Sequence, residues 1–431
     1  MLENIPVWLL CIALLASPSL RAADDVPAAP AIAKITLEAA LQRALSNAPQ
    51  LKAAQAAASA AKGSQIQAGV WPNPEIGVDA ENVGAQGDYS GFKSAEITYG
   101  VSQLVEVSGK RGARLAAADE EHAIAHAELE AARLDLTRDV KTAYAEAVAA
   151  KEGVALAEKQ RSLASEVLAN VNKRVNAAAE PLFQRSKSQV ALSTSEMALD
   201  KATRDYAIAK HRLASLWGAE AVDFDLDSTS FFTISAPPKA QAVPALNKPA
   251  DLVRWDAEVA RKEALYDYEQ AAAIPDPRFN VGMKEFRATN DRAFVVGVSL
   301  PIPVFDMNGG NIARARSEVT KATSEKRLAE VSRQTELERN QQELESAYRQ
   351  AQILQSQMIP AAEKAYQLSR QGYGAGKFAY LEVLDAQRTL SDVRAQFNEA
   401  LKTYHIRSAQ VERLTATYQP DADQKEDEHA N

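Results

Sequence analysis

The sequence predicts a mainly α-helical protein with a small β-sheet part, built as two copies of one structural unit. Three observations lead to this: a helical seam of apolar residues occurs twice, two pairs of segments alternate in polarity, and two helical stretches exceed globular length. Phases of three, four and seven residues place the second seam at Leu390, Val393, Phe397, Ala400, Tyr404, Val411 and Leu414. At a constant offset, the first seam runs through Leu192, Ser195, Leu199, Ala202, Tyr206, Ala209, Leu213 and Leu216.

Composition narrows the class of protein. The chain has 431 residues, a formal net charge of −8 and 25 % charged residues, which argues against wholesale disorder and against a nucleic-acid partner. The single cysteine, Cys11, lies in a short apolar run that ends in small residues. We interpret residues 1–23 as a secretory signal, although Glu3 and the lack of Lys or Arg before the run are atypical.

The first unit is predicted over residues 24–218. A helix broken at Pro49 leads to a β-hairpin at 75–104, in which Ile76, Val78 and Ala80 alternate with acidic and small residues. A long helix pair follows, with its tip near 176–181. The first of these helices exceeds sixty residues, or roughly 100 Å.

The second unit repeats this order over residues 247–418. An irregular connector, 219–246, separates the units, and Pro275-Asp276-Pro277 echoes Pro72-Asn73-Pro74. The second hairpin is expected at 278–302 and the second tip near 373–378, with a kink at Pro360. Residues 419–431 are predicted to be a disordered tail.

Four short strands with one apolar and one polar face fit a membrane-spanning barrel better than a buried core. Four strands cannot close a barrel, and open edges are not tolerated in lipid, so we expect three copies to form twelve strands. Aromatic residues near the strand ends are candidates for contact with lipid at the membrane interface: Trp71, Tyr99, Phe279, Phe286 and Phe305.

Several motifs in order, and in duplicate, resemble the TolC family of outer-membrane efflux proteins, and within it the CzcC-like branch that exports heavy-metal cations. They are Trp71-Pro72-Asn73-Pro74, Gly109-Lys110-Arg111, Pro301-Ile302-Pro303-Val304-Phe305 and the run Tyr380–Leu390. The resemblance implies a homotrimer in the outer membrane of a Gram-negative bacterium, with a helical tunnel in the periplasm. It also implies docking to a periplasmic adaptor protein and to a proton-driven inner-membrane pump of the RND type.

The tip of the second unit holds the candidate functional residues. Glu382 and Asp385 are three apart, so they share a helix face, and threefold symmetry would stack them as two acidic rings. The resemblance implies that these positions line the periplasmic constriction; the alternative is ordinary surface acids near a helix N-terminus. The predicted gate at the tip comprises Tyr373, Gly374, Gly376, Lys377, Arg174 and Glu180.

The resemblance also implies a closing latch at Tyr373. The family's latch arginine and its partner aspartate, however, fall on Phe378 and Gln184, so this latch chemistry is altered here.

Other polar residues carry weaker signals. His122 and His126 have a metal-compatible spacing, but a seam residue and a solvated residue are the simpler interpretation. Lys110 and Arg111 are interpreted as solvating the barrel rim, with lipid headgroups as the alternative.

The sequence contains no catalytic triad, phosphate loop or paired-cysteine site, so we expect neither an enzyme nor a bound metal or cofactor. Two alternatives to metal efflux stay open: a duct for drugs or a secreted protein, and a soluble periplasmic coiled-coil scaffold.

Overall fold

Two runs that share the order helix, β-hairpin, long helices make up the computed structural model, which describes residues 33–237 and 249–417. The predicted signal 1–23, the tail 419–431 and part of the connector lie outside these residues. The first run comprises β1 (Ala33–Ile35), α1 (Leu37–Asn47), α2 (Pro49–Ala68), β2 (Glu75–Glu81), β3 (Glu96–Leu104), α3 (Lys110–Asn176) and α4 (Leu182–Ser215). After β4 (Phe224–Leu226), the second comprises α5 (Ala250–Ala272), β5 (Arg278–Phe286), β6 (Asp291–Ser299), α6 (Gly309–Ile353), α7 (Ile359–Gly374) and α8 (Tyr380–Thr415).

Local sequence signals explain where several helices begin and end. The Thr36 hydroxyl accepts a hydrogen bond from the Ala39 amide at 3.3 Å and caps α1. Pro49 occupies the first turn of α2, where its missing amide hydrogen costs nothing. A π-helical turn, Leu354–Met358, joins α6 to α7 just before Pro360, so the regular helical bonding is interrupted where the kink was expected.

The larger sheet is antiparallel, in the order β2-β3-β5-β6. Each unit contributes one hairpin, and β3 pairs with β5 across the two units. Strands β2 and β6 form the edges of this sheet.

A second sheet, which the sequence did not predict, pairs β1 with β4 in parallel. Strands of three residues are too short to show alternation, so the connector looked wholly irregular. The Tyr144 hydroxyl donates to the carbonyls of Ile35 at 3.0 Å and Asp227 at 2.7 Å. Lys151 Nζ lies 2.7 Å from Asp225 Oδ2. Burial would raise the pKa of Asp225, but the hydrogen bonds from Lys151 and neighbouring groups outweigh it and lower that pKa.

The connector is also held to α8. His405 Nε2 lies 2.8 Å from the Phe231 carbonyl oxygen, and the two rings stack with centroids 5.3 Å apart. Since the carbonyl only accepts, Nε2 carries the proton. Burial lowers the pKa of His405, and the bond to Phe231 only partly opposes this.

The helix α3 lies at the centre of the helical part and packs against α2, α4, α5 and α8. Its buried side chains are mostly small or β-branched, as at Val140, Ala143 and Ala147, so its neighbours approach closely. The α8 seam is largely buried between α3, α6 and α7. The corresponding seam of α4 is mostly half-buried, because α4 packs mainly on α3.

Within 33–237 and 249–417, no helix combines the length and the apolarity that a bilayer crossing requires.

Candidate functional site

The turn between α7 and α8 forms the tip of the second unit. Gly376 adopts φ +71°, a conformation that favours glycine. The amides of Lys377 and Phe378 both donate to the Gly372 carbonyl, at 2.8 and 3.3 Å. The Phe378 ring lies so close to Gly372 that a Cβ there would sit 2.1 Å from a ring carbon. Phe378, at the position where the resemblance implies a latch arginine, therefore closes the turn instead.

Three of the predicted gate residues meet beside this turn. Arg174 Nε lies 2.9 Å from Glu180 Oε1, and the Arg174 guanidinium lies 5.1 Å from the centroid of the Tyr373 ring. The Tyr373 ring contacts that of Tyr380, with centroids 5.6 Å apart. Sequence reasoning missed Tyr380, although it begins the run that carries the resemblance. This tip cluster, Arg174, Glu180, Tyr373 and Tyr380, joins the end of α3 to α7 and α8.

A groove of about 400 Å³ lies between α3, α7 and α8 next to the tip cluster. The hydroxyls of Tyr373 and Tyr380 and Oε1 of Gln387 are buried there without a hydrogen-bond partner in the described part of the chain. Burial raises the pKa of Tyr373, while nearby Arg174 opposes the rise. The phenols are therefore neutral near pH 7 and can donate hydrogen bonds.

Glu382 and Asp385 lie in the first two turns of α8 with exposed side chains, while Val383 between them is buried. Over the described ranges, neither carboxylate takes part in an ion pair. The Glu399 carboxylate farther along α8 instead lies 2.6 Å from Lys402 Nζ. The two acids thus point away from the packed side of the helix, beside the tip of the second unit, as a pore lining or an outer surface requires.

The four-stranded sheet has two faces of opposite character, because directly paired residues share a face. The apolar face carries exposed Ile76, Val78, Tyr99, Val101, Phe279, Val281, Met283, Phe294, Val296 and Val298. The polar face carries Glu75, Asp79, Glu81, Glu96, Thr98, Ser102, Arg278, Asn280, Lys284 and Asp291. On it, Arg278 lies 2.6 Å from Glu75, and Lys284 lies 2.5 Å from Glu81 and 2.9 Å from Glu96.

The predicted interface aromatics separate into two groups. Trp71 precedes β2 with 56 % of its surface exposed, Phe279 is the second residue of β5 and lies on the apolar face, and Phe305 follows β6 fully exposed at 101 %. Two expectations need correction. Tyr99 lies in the middle of β3, opposite Val78 and Met283, and not near a strand end. Phe286 ends β5, but alternation places it on the polar face with Lys284.

Lys110, expected to solvate the rim, is instead buried where the strands meet the helices. Its Nζ lies 2.7 Å from Asp276 Oδ1 and donates to the Ile274 carbonyl at 2.5 Å. The Val107 amide donates to the same Asp276 oxygen at 2.9 Å. The first turn of α3 is thereby fixed to the segment that follows α5 in the other unit. No signal in the sequence pairs Lys110 with Asp276.

Among the described residues, no three or more His, Cys, Asp or Glu side chains form a group that could hold a metal. His122 and His126 are neighbours, with ring centroids 6.5 Å apart, and both interact with other groups.

Comparisons with known proteins agree with this architecture. A family model described as outer membrane efflux protein matches residues 40–219 and 244–417. The cobalt-zinc-cadmium resistance protein CzcC of Cupriavidus metallidurans is 30 % identical over 382 residues, which cover 88 % of this chain and 90 % of that protein. The nickel-cobalt-cadmium resistance protein NccC of Alcaligenes xylosoxydans xylosoxydans is 29 % identical over a stretch that covers 74 % of this chain and 71 % of that protein.

Among solved structures, the outer membrane protein VceC of Vibrio cholerae superposes with a TM-score of 0.73 at 19 % identity, over 88 % of this chain and 96 % of that chain. The likeness in fold and the family match confirm the resemblance seen in the sequence motifs. They also place the protein in a family of efflux proteins and not of enzymes. This chain, with its two-faced sheet and long helices, belongs to the outer membrane efflux protein family.

Proposed function

We propose that the protein is the exit duct of a tripartite efflux system that exports heavy-metal cations. A periplasmic adaptor and an RND-type inner-membrane pump would deliver the cations to its helical end. The choice of heavy-metal cations as cargo rests on the similarity to two metal-resistance proteins over most of the chain. The two-faced sheet supports the duct itself, because its exposed apolar face suits lipid and its charged face suits a water-filled lumen.

One protomer cannot form a closed duct, since β2 and β6 leave unpaired edges that lipid does not tolerate, and three copies would supply twelve strands. Exposed apolar residues on two groups of helices that pack on different neighbours, α4 on α3 and α6 with α7 on α8, support closure by self-association. On α4 these are Leu182, Phe183, Val190, Met197 and Ile208. On the side of α6 and α7 they are Leu328, Val331, Ile353, Met358 and Leu368.

The charge distribution suits cations. On the polar face of the sheet, carboxylates outnumber the cations Arg278 and Lys284. Glu382 and Asp385 would add two acidic rings at the narrow end, where a low-dielectric wall strengthens their field. The tip cluster would keep this end closed at rest, because the contacts of Arg174 with Glu180 and Tyr373 tie two helix pairs together.

Growth of a host strain deleted for this chain, on plates with one metal each, tests the proposed cargo. Deletion should sensitise the strain to at least one of cobalt, zinc, cadmium and nickel, and the intact gene should restore growth and lower cell-associated metal. A panel of hydrophobic drugs serves as the control. Unchanged metal tolerance together with drug sensitivity would reject metal cargo in favour of the drug duct.

A further inference from the structure

The first five residues of α3 include three cations, Lys110, Arg111 and Arg114, where the strands meet the helices. Two of them are neutralised. Lys110 pairs with Asp276 at 2.7 Å, and Arg114 pairs with Glu106 at 2.6 Å. Across the described residues, no carboxylate lies within ion-pair distance of Arg111.

Contacts on two sides hold Arg111 in place. Its Nε donates to the Gly69 carbonyl at 2.5 Å, and its guanidinium lies 5.1 Å from the centroid of the Trp71 ring. The Nε bond leaves the two terminal nitrogens for another acceptor. Arginine keeps its charge at any physiological pH, and its planar fork suits the oxygens of a phosphate.

The surroundings of this pair resemble a membrane interface. Trp71 is more than half exposed and lines an open groove with Val70, Pro72 and Asn73. On the other unit, the segment after β6 exposes Leu300, Ile302, Val304, Phe305 and Met307 at the same end of the sheet. Proteins often contact lipid headgroups and upper acyl chains through an indole that lies beside a cation. Here this pair lies at the same end of the sheet as the exposed apolar side chains.

We propose that Arg111 and Trp71 form a binding site for the phosphate of an anionic phospholipid in the periplasmic leaflet of the outer membrane. Arg111 supplies the charge and hydrogen bonds for the phosphate, and Trp71 packs along the glycerol and upper acyl chains. The inference rests on the proposed membrane placement of the sheet. It needs no assumption about the exported cargo.

Native mass spectrometry of the purified assembly in detergent, titrated with phosphatidylglycerol, tests the site. We expect one tightly held lipid per protomer. Arg111→Gln keeps the length and polarity of the side chain but removes the charge, and should weaken this binding about tenfold, the effect of losing a charged hydrogen bond. The same spectra report whether the variant still assembles.

Arg254→Gln is the matched control. The Arg254 guanidinium also lies over an indole, 5.2 Å from the Trp255 centroid, but it is paired with Glu128 at 2.7 Å and lies on α5, away from the junction. This variant should bind lipid as the parent does. Equal loss in both variants, or no loss in Arg111→Gln, would overturn the proposal.

A competition experiment distinguishes a site for phospholipid from a site for free phosphate. Inorganic phosphate at the same concentration should leave the bound lipid in place; displacement of the lipid would assign the site to small anions and overturn the proposal. If Arg111→Gln assembles poorly, Trp71→Leu replaces it, since loss of the indole should also weaken lipid binding. Because these readouts do not involve transport, failure here would leave the metal-tolerance assay unaffected.

Discussion

The role of the charges on Glu382 and Asp385 can be tested without changing the size of either side chain. Glu382→Gln with Asp385→Asn keeps both sizes, and both side chains are exposed, so the fold should persist. Acidic rings in a narrow opening concentrate cations on the order of tenfold, so the double variant should lose most of its cation preference. Single-channel recordings of ion selectivity and of block by multivalent cations measure the effect.

Glu399→Gln is the control, because Glu399 lies on the same helix but is already paired with Lys402. It should change selectivity much less. If the double variant conducts and is blocked like the parent, the two acids face the outer surface and the pore assignment is wrong.

Arg174 tests the proposed closure at the tip. Arg174→Gln removes the ion pair with Glu180 and the contact with the Tyr373 ring, so the two helix pairs should separate more readily. We expect a larger resting conductance in planar bilayers. Arg161→Gln, on the same helix with its own carboxylate partner Glu196, should leave conductance unchanged. Equal conductance in all three proteins would show that the tip cluster does not hold the gate.

Residue-level prediction succeeded where chain neighbours determine the outcome and failed where distant ones do. The glycine turn at Gly376 and the shared face of Glu382 and Asp385 follow from local geometry. The partner of Lys110, Asp276, lies 166 positions away in the chain, and no rule of residue spacing predicts a pair at that separation. Phe286 was assigned by type alone, and counting its parity along β5 would have placed it on the polar face.

Among the elements, β5 depends most closely on a glycine. A Cβ at Gly282 would lie 2.6 Å from the Tyr99 carbonyl oxygen and 3.1 Å from the Gly100 Cα, both backbone atoms of β3. Gly282→Ala should therefore force the strands apart and destabilise the protein by about 1–3 kcal/mol. Thermal unfolding in detergent measures this.

Gly297→Ala in the adjacent strand is the matched control, because its nearest neighbour is a side-chain atom at 3.7 Å. A melting temperature of Gly282→Ala equal to that of Gly297→Ala would contradict the close approach of β3 and β5.

The connector should make stability depend on pH through His405. Burial keeps the folded pKa of His405 below its usual value near 6.5, whereas the unfolded chain binds a proton there. The unfolded state thus holds more protons below pH 6.5, and the stability due to His405, complete above that pH, falls as the pH drops. His405→Gln keeps a donor for Phe231 and should reduce the difference in melting temperature between pH 7.5 and 5.0.

His211→Gln, an exposed histidine on α4, should leave that difference unchanged. An identical pH dependence in the parent and in His405→Gln would show that other groups dominate acid destabilisation.

Element-level prediction worked for long periodic segments. The two hairpins, the long helices and the break at Pro49 were all readable, because alternation and helical phase persist over many residues. The pair of β1 and β4 was missed since three residues carry no period. The half-buried seam of α4 shows that a pattern identifies a face without telling how completely a neighbour covers it.

For the whole molecule, assembly is the central prediction. Native mass spectrometry in detergent should show three copies, because β2 and β6 need partners that one protomer cannot supply. Val190→Glu, in the exposed apolar row of α4, should shift the population toward monomers, whereas Glu196→Gln on the same helix should not. A stable monomer or tetramer of the parent protein would refute closure by twelve strands.

The pairing of β3 with β5 also has a consequence for biosynthesis. Ser102 and Arg278 are hydrogen-bonded neighbours, yet they are 176 residues apart in the chain. At translation rates of about 5–20 residues per second, β3 waits roughly 10–35 s for its partner strand to appear. During that interval an apolar strand with an open edge is a template for aggregation. We therefore expect the nascent protein to need a chaperone that shields the first hairpin until the second arrives.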